Sequence, residues 1–266
     1  MLLAAVLLGV AAAVAACNGG SSKDSTSSKA TASPAVTASS GVSPVPGKTA
    51  EATSPPSGRV SDEPVAFQTD DGVTLRGHLY TVPGPRRKAV IFAHMYPNDQ
   101  RAWTAFAMEM AQSGVAALTF DFRGYGESGG SKDVAKIDHD LTYALLFMKS
   151  RDYPEIYLVG ASMGGTAALK VAAAQEVSGL VTVSAPLSFM GLDATADVAR
   201  ISAPKLFLAS KSEAEGGGQA AQQLAQAATG PKDLYLFDGS AHGTDLLKGP
   251  NADLFKQKVA EFVQGH

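Results

Sequence analysis

The chain has 266 residues, 45% of them apolar and 18% charged, and its formal net charge is −3. That charge balance offers no basic patch for a phosphate backbone, so no nucleic-acid partner is expected. The single cysteine excludes a disulfide framework and a cysteine-rich zinc site. All aromatic side chains lie after residue 60, so we expect residues 61–266 to fold as one α/β domain.

The first sixteen residues are apolar except for Gly9. A membrane-spanning helix needs about 20 residues, whereas this length is typical of a secretory signal peptide. The small residues before the lone Cys17 resemble a bacterial lipobox. The resemblance implies cleavage before Cys17, lipid attachment to that residue, and a membrane anchor on the outer face of the cytoplasmic membrane, in the cell envelope. The alternative is an ordinary signal peptide with an incidental cysteine.

Residues 17–60 are predicted to be the lipidated cysteine followed by a disordered tether. Of the 41 residues from 18 to 58, 32 are Ser, Thr, Ala, Gly or Pro, and no apolar side chain is larger than Val. Such a segment buries too little surface to offset its chain entropy.

The remaining residues alternate short apolar runs with amphipathic segments. Residues 65–68 and 73–80 are typical of an opening hairpin. Further strands are predicted at 89–93, 115–120, 156–159, 180–184, 205–209 and 234–237, and helices at 100–113, 133–150, 163–175, 216–228 and 251–264. Strands that are apolar on both faces favour a mostly parallel sheet of about eight strands, with helices on both faces. Catalytic groups are then expected on loops at the carboxyl ends of the strands.

The motif Gly160-Ala161-Ser162-Met163-Gly164 follows a predicted strand and opens a predicted helix. This is the context of a G-x-S-x-G nucleophile elbow, in which the serine is strained and its neighbours two residues away must be tiny. Ser162 is therefore the candidate nucleophile, and the N–H of Met163 is a candidate oxyanion donor. The alternative is a glycine-rich turn with an inert serine.

With this motif and three others, the chain is similar to the α/β-hydrolase family over about residues 63–264. His94-Met95-Tyr96-Pro97 follows a predicted strand at the place where the family has His-Gly-x-Pro. The resemblance implies that the N–H of Tyr96 is the second oxyanion donor and that His94 has a structural role. Met95 departs from the family pattern, which commonly has glycine there.

The segment 121–129 is a further family-like motif, and three of its glycines also satisfy G-x-G-x-x-G. A dinucleotide site needs the third glycine at a helix start, whereas this loop continues past it. No dinucleotide is therefore expected. Asp121 and Arg123 are expected to pair with each other and brace a loop beside the active site.

The family order of a triad is serine, acid, histidine. His242 follows the last predicted strand, where the family histidine belongs, and is implied to be the general base. The resemblance favours Glu213 as the acid, because it lies a few residues past a predicted strand. Glu215 and Asp238 remain alternatives, as does Asp193 after the preceding strand.

The resemblance implies a serine hydrolase that cleaves a carboxylic ester or related small acyl compound through an acyl-enzyme. No metal or cofactor is expected. Only about 20 residues separate the strands near 184 and 205, enough for one short helix, so no large cap domain is expected. Phe189, Met190 and Leu192 are expected to form an apolar rim.

Two other classes remain open from the sequence. One is an acyltransferase or peptidase that acts on cell-envelope material with the same triad. The other is a non-catalytic envelope lipoprotein that retains the fold for binding.

Overall fold

A computed structural model describes residues 58–266. The predicted signal peptide, Cys17 and nearly all of the predicted tether lie outside the described residues. Within the described part, no helix is long and apolar enough to span a membrane.

The strands in chain order are β1 (Ser61–Gln68), β2 (Thr74–Thr81), β3 (Lys88–Ala93), β4 (Ala116–Phe120), β5 (Glu155–Ala161), β6 (Gly179–Val183), β7 (Ser188–Phe189), β8 (Leu192–Asp193), β9 (Lys205–Ser210) and β10 (Lys232–Phe237). The α-helices are α1 (Thr104–Gln112), α2 (Ile137–Ser150), α3 (Met163–Ala174), α4 (Gly217–Ala227) and α5 (Ala252–Gly265).

Eight strands form one sheet in the order β1-β2-β4-β3-β5-β6-β9-β10. β1 and β2 pair antiparallel, and β2 pairs antiparallel with β4. The remaining neighbours are parallel. This confirms the predicted α/β fold with a mostly parallel eight-stranded sheet.

The sheet is covered on both faces because its central strands are apolar on both. Along β3, Ile91 belongs to a core cluster that includes residues of α2, α3 and α4. Its neighbours Val90 and Phe92 belong to a second cluster, which includes residues of α1 and α5. The period-two alternation of a strand sends successive side chains to opposite faces, so a continuous apolar run fills two cores at once.

The hairpin of β1 and β2 determines where the chain enters the domain. Ser61 pairs with Thr81, and Tyr80 in turn pairs with Ala117 near the start of β4. β1 therefore begins at the edge of the sheet formed by the amino ends of the parallel strands, opposite the edge where their carboxyl ends lie.

The segment between β6 and β9, which is long enough for one short helix, contains no α-helix. It forms a small hairpin, β7 and β8, followed by a 3₁₀ turn at Val198–Arg200. The two hairpin turn residues, Met190 and Gly191, both have positive φ angles of 46° and 88°. Such angles are typical of a two-residue type I′ turn, which matches the twist of paired strands. The described chain thus has no large cap domain between these strands.

Candidate active site

Ser162 lies at the sharp turn between β5 and α3, with φ 49° and ψ −118°. Its N–H donates to the carbonyl of Val183 on the adjacent strand, at 2.8 Å. A Cβ on Gly164 would lie 2.5 Å from the carbonyl oxygen of Ala93, and one on Gly160 would lie 2.3 Å from that of Gly164. Both glycines are therefore required by close backbone approach, as the elbow motif demands.

Met163 and Tyr96 are the two candidate oxyanion donors. Neither backbone N–H donates a hydrogen bond to a backbone carbonyl in the described residues, 58–266. Met163 is the first residue of α3, where backbone N–H groups have no partner within the helix. The ring of Tyr96 is 45% exposed and lines the same cavity as Ser162.

Met95 is accommodated by a glycine in the histidine loop. Its side chain is buried, and a Cβ on Gly243 would lie 2.6 Å from its sulfur. The side chain thus packs against Gly243, next to His242. Glycine at 243 supplies the space that the family pattern usually leaves at 95.

His94 ties two loops together. Its Nε2 accepts the N–H of Phe122 at 3.1 Å, so the proton lies on Nδ1, which donates to the carbonyl of Met95 at 3.1 Å. Burial lowers the pKa of His94, in keeping with this neutral tautomer.

His242 hydrogen-bonds Glu213, with Nδ1 2.8 Å from Oε2. The other carboxylate oxygen, Oε1, accepts the N–H of Ser210 and the hydroxyl of Ser184, both at 2.6 Å. The hydrogen bond that His242 donates to Glu213 raises the pKa of His242, outweighing the opposing effect of burial. Glu215 adds a weaker attraction from 3.7 Å.

The four candidate acids have different surroundings. Hydrogen bonds from the side chain of Thr195 and from its backbone N–H, the latter at 2.8 Å, lower the pKa of Asp193. The carboxylate of Asp238 is exposed and forms an ion pair with Lys211 at 2.6 Å. Only Glu213 is both buried and within hydrogen-bond distance of His242.

Ser162 and His242 line one cavity of about 300 Å³. The other lining residues are Tyr96, Ser184, Pro186, Phe189, Glu215, Gly217 and Ala220. Among the described residues the Ser162 hydroxyl makes no hydrogen bond; catalytic hydrogen bonds often tighten only when substrate binds. The structure thus places the candidate nucleophile and base in one cavity, with the candidate acid hydrogen-bonded to the base.

The pocket rim differs from its prediction at one position. Phe189 packs on Tyr96, with ring centroids 5.9 Å apart, and Met190 at the hairpin tip is 63% exposed. Leu192 instead points into the core and is fully buried. Leu192 is the partner of Phe189 across the hairpin, and it packs into the core cluster, whereas Phe189 is only partly buried against that cluster.

Residues 88–214 match the family model described as the alpha/beta hydrolase fold. The chain has the α/β-hydrolase fold. An esterase from Pyrococcus furiosus, Pf2001, superposes with a TM-score of 0.65 at 19% identity, over 77% of this chain and 91% of that one. At this level of identity the likeness concerns the fold alone.

Two curated relatives match the chain over shorter stretches. The polyketide transferase claH of Penicillium crustosum is 35% identical over 136 residues, 47% of this chain and 44% of that protein. The thiohydrolase aneE of Aspergillus aculeatus is 33% identical over 133 residues, 46% and 41% of the two chains. The chain therefore spans less than half the length of both relatives.

Within this hydrolase fold, the loop 121–129 is braced differently from the prediction. Asp121 does not pair with Arg123; it accepts the backbone N–H and the side-chain amide of Gln100, at 2.8 and 2.9 Å. Arg123 instead binds Asp140 on α2 at 2.6 Å and Asp71 at 2.8 Å. The expectation failed because these partners come from distant parts of the sequence.

Among residues 58–266, one group of side chains has the spacing of a metal site, namely Asp70, Asp71 and His139. The guanidinium of Arg123 already lies 2.8 Å from Asp71 and 3.2 Å from Nδ1 of His139. The positive charge beside these side chains is thus supplied by Arg123, and we assign no metal to this group.

Sequence reasoning missed Ser184 and Ser210, the two residues that hold Glu213. The available signal was weak: each is a polar residue at the carboxyl end of a buried strand. In a parallel sheet this is where functional groups gather, but the sequence does not indicate which partner either residue meets.

Proposed function

We propose that the protein is a serine hydrolase that cleaves a carboxylic ester or related acyl compound. Ser162 would be the nucleophile, His242 the general base and Glu213 the acid. The observation that carries the proposal is the hydrogen bond between the buried Glu213 carboxylate and His242, beside a cavity that also contains a strained serine.

The mechanism follows from the positions of the protons. Glu213 holds the Nδ1 proton of His242, which leaves Nε2 free to take the Ser162 proton as the serine oxygen attacks the acyl carbon. The N–H groups of Met163 and Tyr96 stabilise the oxyanion, each being worth about 100- to 1,000-fold in turnover. His242 then returns the proton to the leaving alcohol, and water repeats the sequence to release the acid.

The pocket walls favour an apolar acyl or alcohol group of modest size. Tyr96, Phe189, Pro186 and Ala220 supply apolar surface to the cavity. Burial of such surface is worth about 25 cal/mol per Å², so binding should strengthen with ester chain length until the cavity is filled.

Acyl transfer is the second candidate, and the named activities of two relatives favour keeping it. One is a polyketide transferase and the other a thiohydrolase. Both names are compatible with an acyl-enzyme on which water competes with another acceptor. Adding an acceptor alcohol or amine and measuring the ratio of transferred to hydrolysed product separates the two; a peptidase would in addition cleave an amide.

We also propose that the protein is exported and anchored to the outer face of the cytoplasmic membrane through lipid on Cys17. The support is the run of small residues before the single cysteine. Mass spectrometry of the full chain from membranes should find lipid on Cys17, and a Cys17→Ser variant should move to the soluble fraction. An unmodified wild-type cysteine would contradict the anchor without affecting the hydrolase proposal.

The hydrolase proposal is tested with a fluorophosphonate probe on the full chain. Wild type and the exposed-serine control Ser240→Ala should be labelled, whereas Ser162→Ala should not. Hydrolysis of p-nitrophenyl esters should be lost in parallel. A folded wild type that resists the probe would contradict an activated serine and favour the binding-protein alternative.

A further inference from the structure

Ser184 lies directly after β6, in a backbone conformation that is rare for serine. Its φ angle is 53°, in the left-handed region that favours glycine. Its side chain is buried at the floor of the cavity that contains Ser162 and His242. Strain of this kind persists only where surrounding structure holds it, and it concentrates at functional sites.

The Ser184 hydroxyl joins the acid loop to the histidine loop. It donates to Oε1 of Glu213 at 2.6 Å and accepts the N–H of Gly243 at 3.0 Å. Gly243 directly follows His242 in the chain. One hydroxyl therefore contacts both the proposed acid and the backbone beside the proposed base.

The hydrogen bonds of Glu213 show what this contact does. A carboxylate oxygen has about two acceptor positions, and those of Oε1 are taken by Ser184 and by the N–H of Ser210. Only Oε2 is then left for His242. Because Oε1 is saturated, the carboxylate is prevented from rotating away from the imidazole.

We propose that Ser184 is a positioning residue, which acts through Glu213 to keep Oε2 aimed at Nδ1 of His242. The inference rests on the proposed triad and adds a fourth side chain to it. Serine has the shortest side chain that carries a hydroxyl, and the Ser184 hydroxyl can donate and accept a hydrogen bond at the same time. An uncharged group is needed, since a second carboxylate there would repel Glu213.

The test compares Ser184→Ala and Ser184→Gly in the full chain. Both remove the hydroxyl, but glycine relieves the positive φ, so Ser184→Gly should melt at a higher temperature than Ser184→Ala. Both should lose about 10- to 100-fold in kcat with little change in KM, which corresponds to one hydrogen bond to a charged group. Equal losses in two variants of different stability would separate positioning from folding.

The matched control is Ser178→Ala, which removes a serine hydroxyl that accepts the N–H of Ile156 at the opposite edge of the sheet. This variant should keep its kcat. If Ser184→Ala and Ser184→Gly also stay within about twofold of wild type, the positioning role is refuted.

The decisive experiment tests whether the losses in kcat from Ser184→Ala and Glu213→Gln add. If Ser184 acts through Glu213, adding Ser184→Ala to Glu213→Gln should change kcat by less than about twofold. A full 10- to 100-fold further loss in the double variant would overturn the inference, because Ser184 would then act independently of the acid.

A readout that does not need activity is the NMR titration of His242, one of five histidines, assigned with a His242→Gln variant. The hydrogen bond that His242 donates to Glu213 raises the pKa of His242, so loss of Ser184 should lower that pKa. An unchanged pKa would refute the role. Failure of the hydrolase proposal would appear separately, as a wild type that the fluorophosphonate does not label.

Discussion

His242 contacts two glutamates in very different environments. Glu213 is buried and accepts a hydrogen bond from Nδ1 at 2.8 Å, whereas Glu215 is exposed and lies 3.7 Å from the same nitrogen. Both carboxylates attract a positive charge on the imidazole. Only the buried one has the contact that holds a ring in one orientation and one tautomer.

Replacing each glutamate should therefore give unequal losses. Glu213→Gln should lower kcat by about 10,000-fold, the loss seen when a triad acid is replaced by its amide. Glu215→Gln should lower it by less than about fivefold, because exposed charge pairs are worth at most about 1 kcal/mol. Steady-state hydrolysis of a p-nitrophenyl ester measures both, and a larger loss in Glu215→Gln would reverse the assignment of the acid.

The pKa of His242 determines the direction in which kcat/KM should change with pH. The pKa of His242 is raised above its ordinary value of 6.5, first by the hydrogen bond that it donates to Glu213. A base must be neutral to accept a proton, so kcat/KM should rise with pH and reach its half-maximum above pH 6.5.

Removal of either glutamate should move this midpoint to lower pH. Glu213→Gln should shift it more than Glu215→Gln, because the exposed charge contributes only through space. A pH–rate profile of the three proteins decides the order. A midpoint below 6.5 in wild type would contradict the paired imidazole.

Met95→Ala should destabilise the fold by about 2–5 kcal/mol, the usual cost of emptying a buried site of this size. It should also lower kcat, because Met95 packs against Gly243 next to His242, the proposed base. The matched control is Met108→Ala, on an exposed face of α1. Denaturant unfolding of the full-length variants gives the free energies, and similar losses for the two methionines would argue against a supporting role for Met95.

Asp140→Asn should cost about 3–5 kcal/mol, because it leaves the guanidinium of Arg123 buried without its fully buried partner. Asp133→Asn breaks an exposed pair with Lys136 and should cost less than about 1 kcal/mol. Thermal and denaturant unfolding provide the comparison. Equal effects would mean that Arg123 finds adequate compensation in Asp71.

The sequence predicted the sheet well because its strands are apolar on both faces, which periodicity detects directly. Ser162 was equally easy to identify from the sequence, since the elbow requires two glycines at a fixed spacing. Ser184 could not be found in this way, because its hydrogen bond to Glu213, 29 residues away, and its strained backbone at the end of β6 depend on the tertiary structure. The pairing of Arg123 with Asp140 and Asp71 failed to be predicted for the same reason: charge partners are chosen by tertiary packing, not by proximity in the chain.

The position of β1 has a practical consequence. Its first residue, Ser61, lies at the edge of the sheet opposite the one that carries Ser162 and His242. Anything joined to the chain just before residue 58, whether an affinity tag, a sensor surface or a lipid, would attach on the far side from the pocket. Immobilised in that way, the protein should present the cavity to the surrounding solution, and a small molecule should reach it without passing the point of attachment.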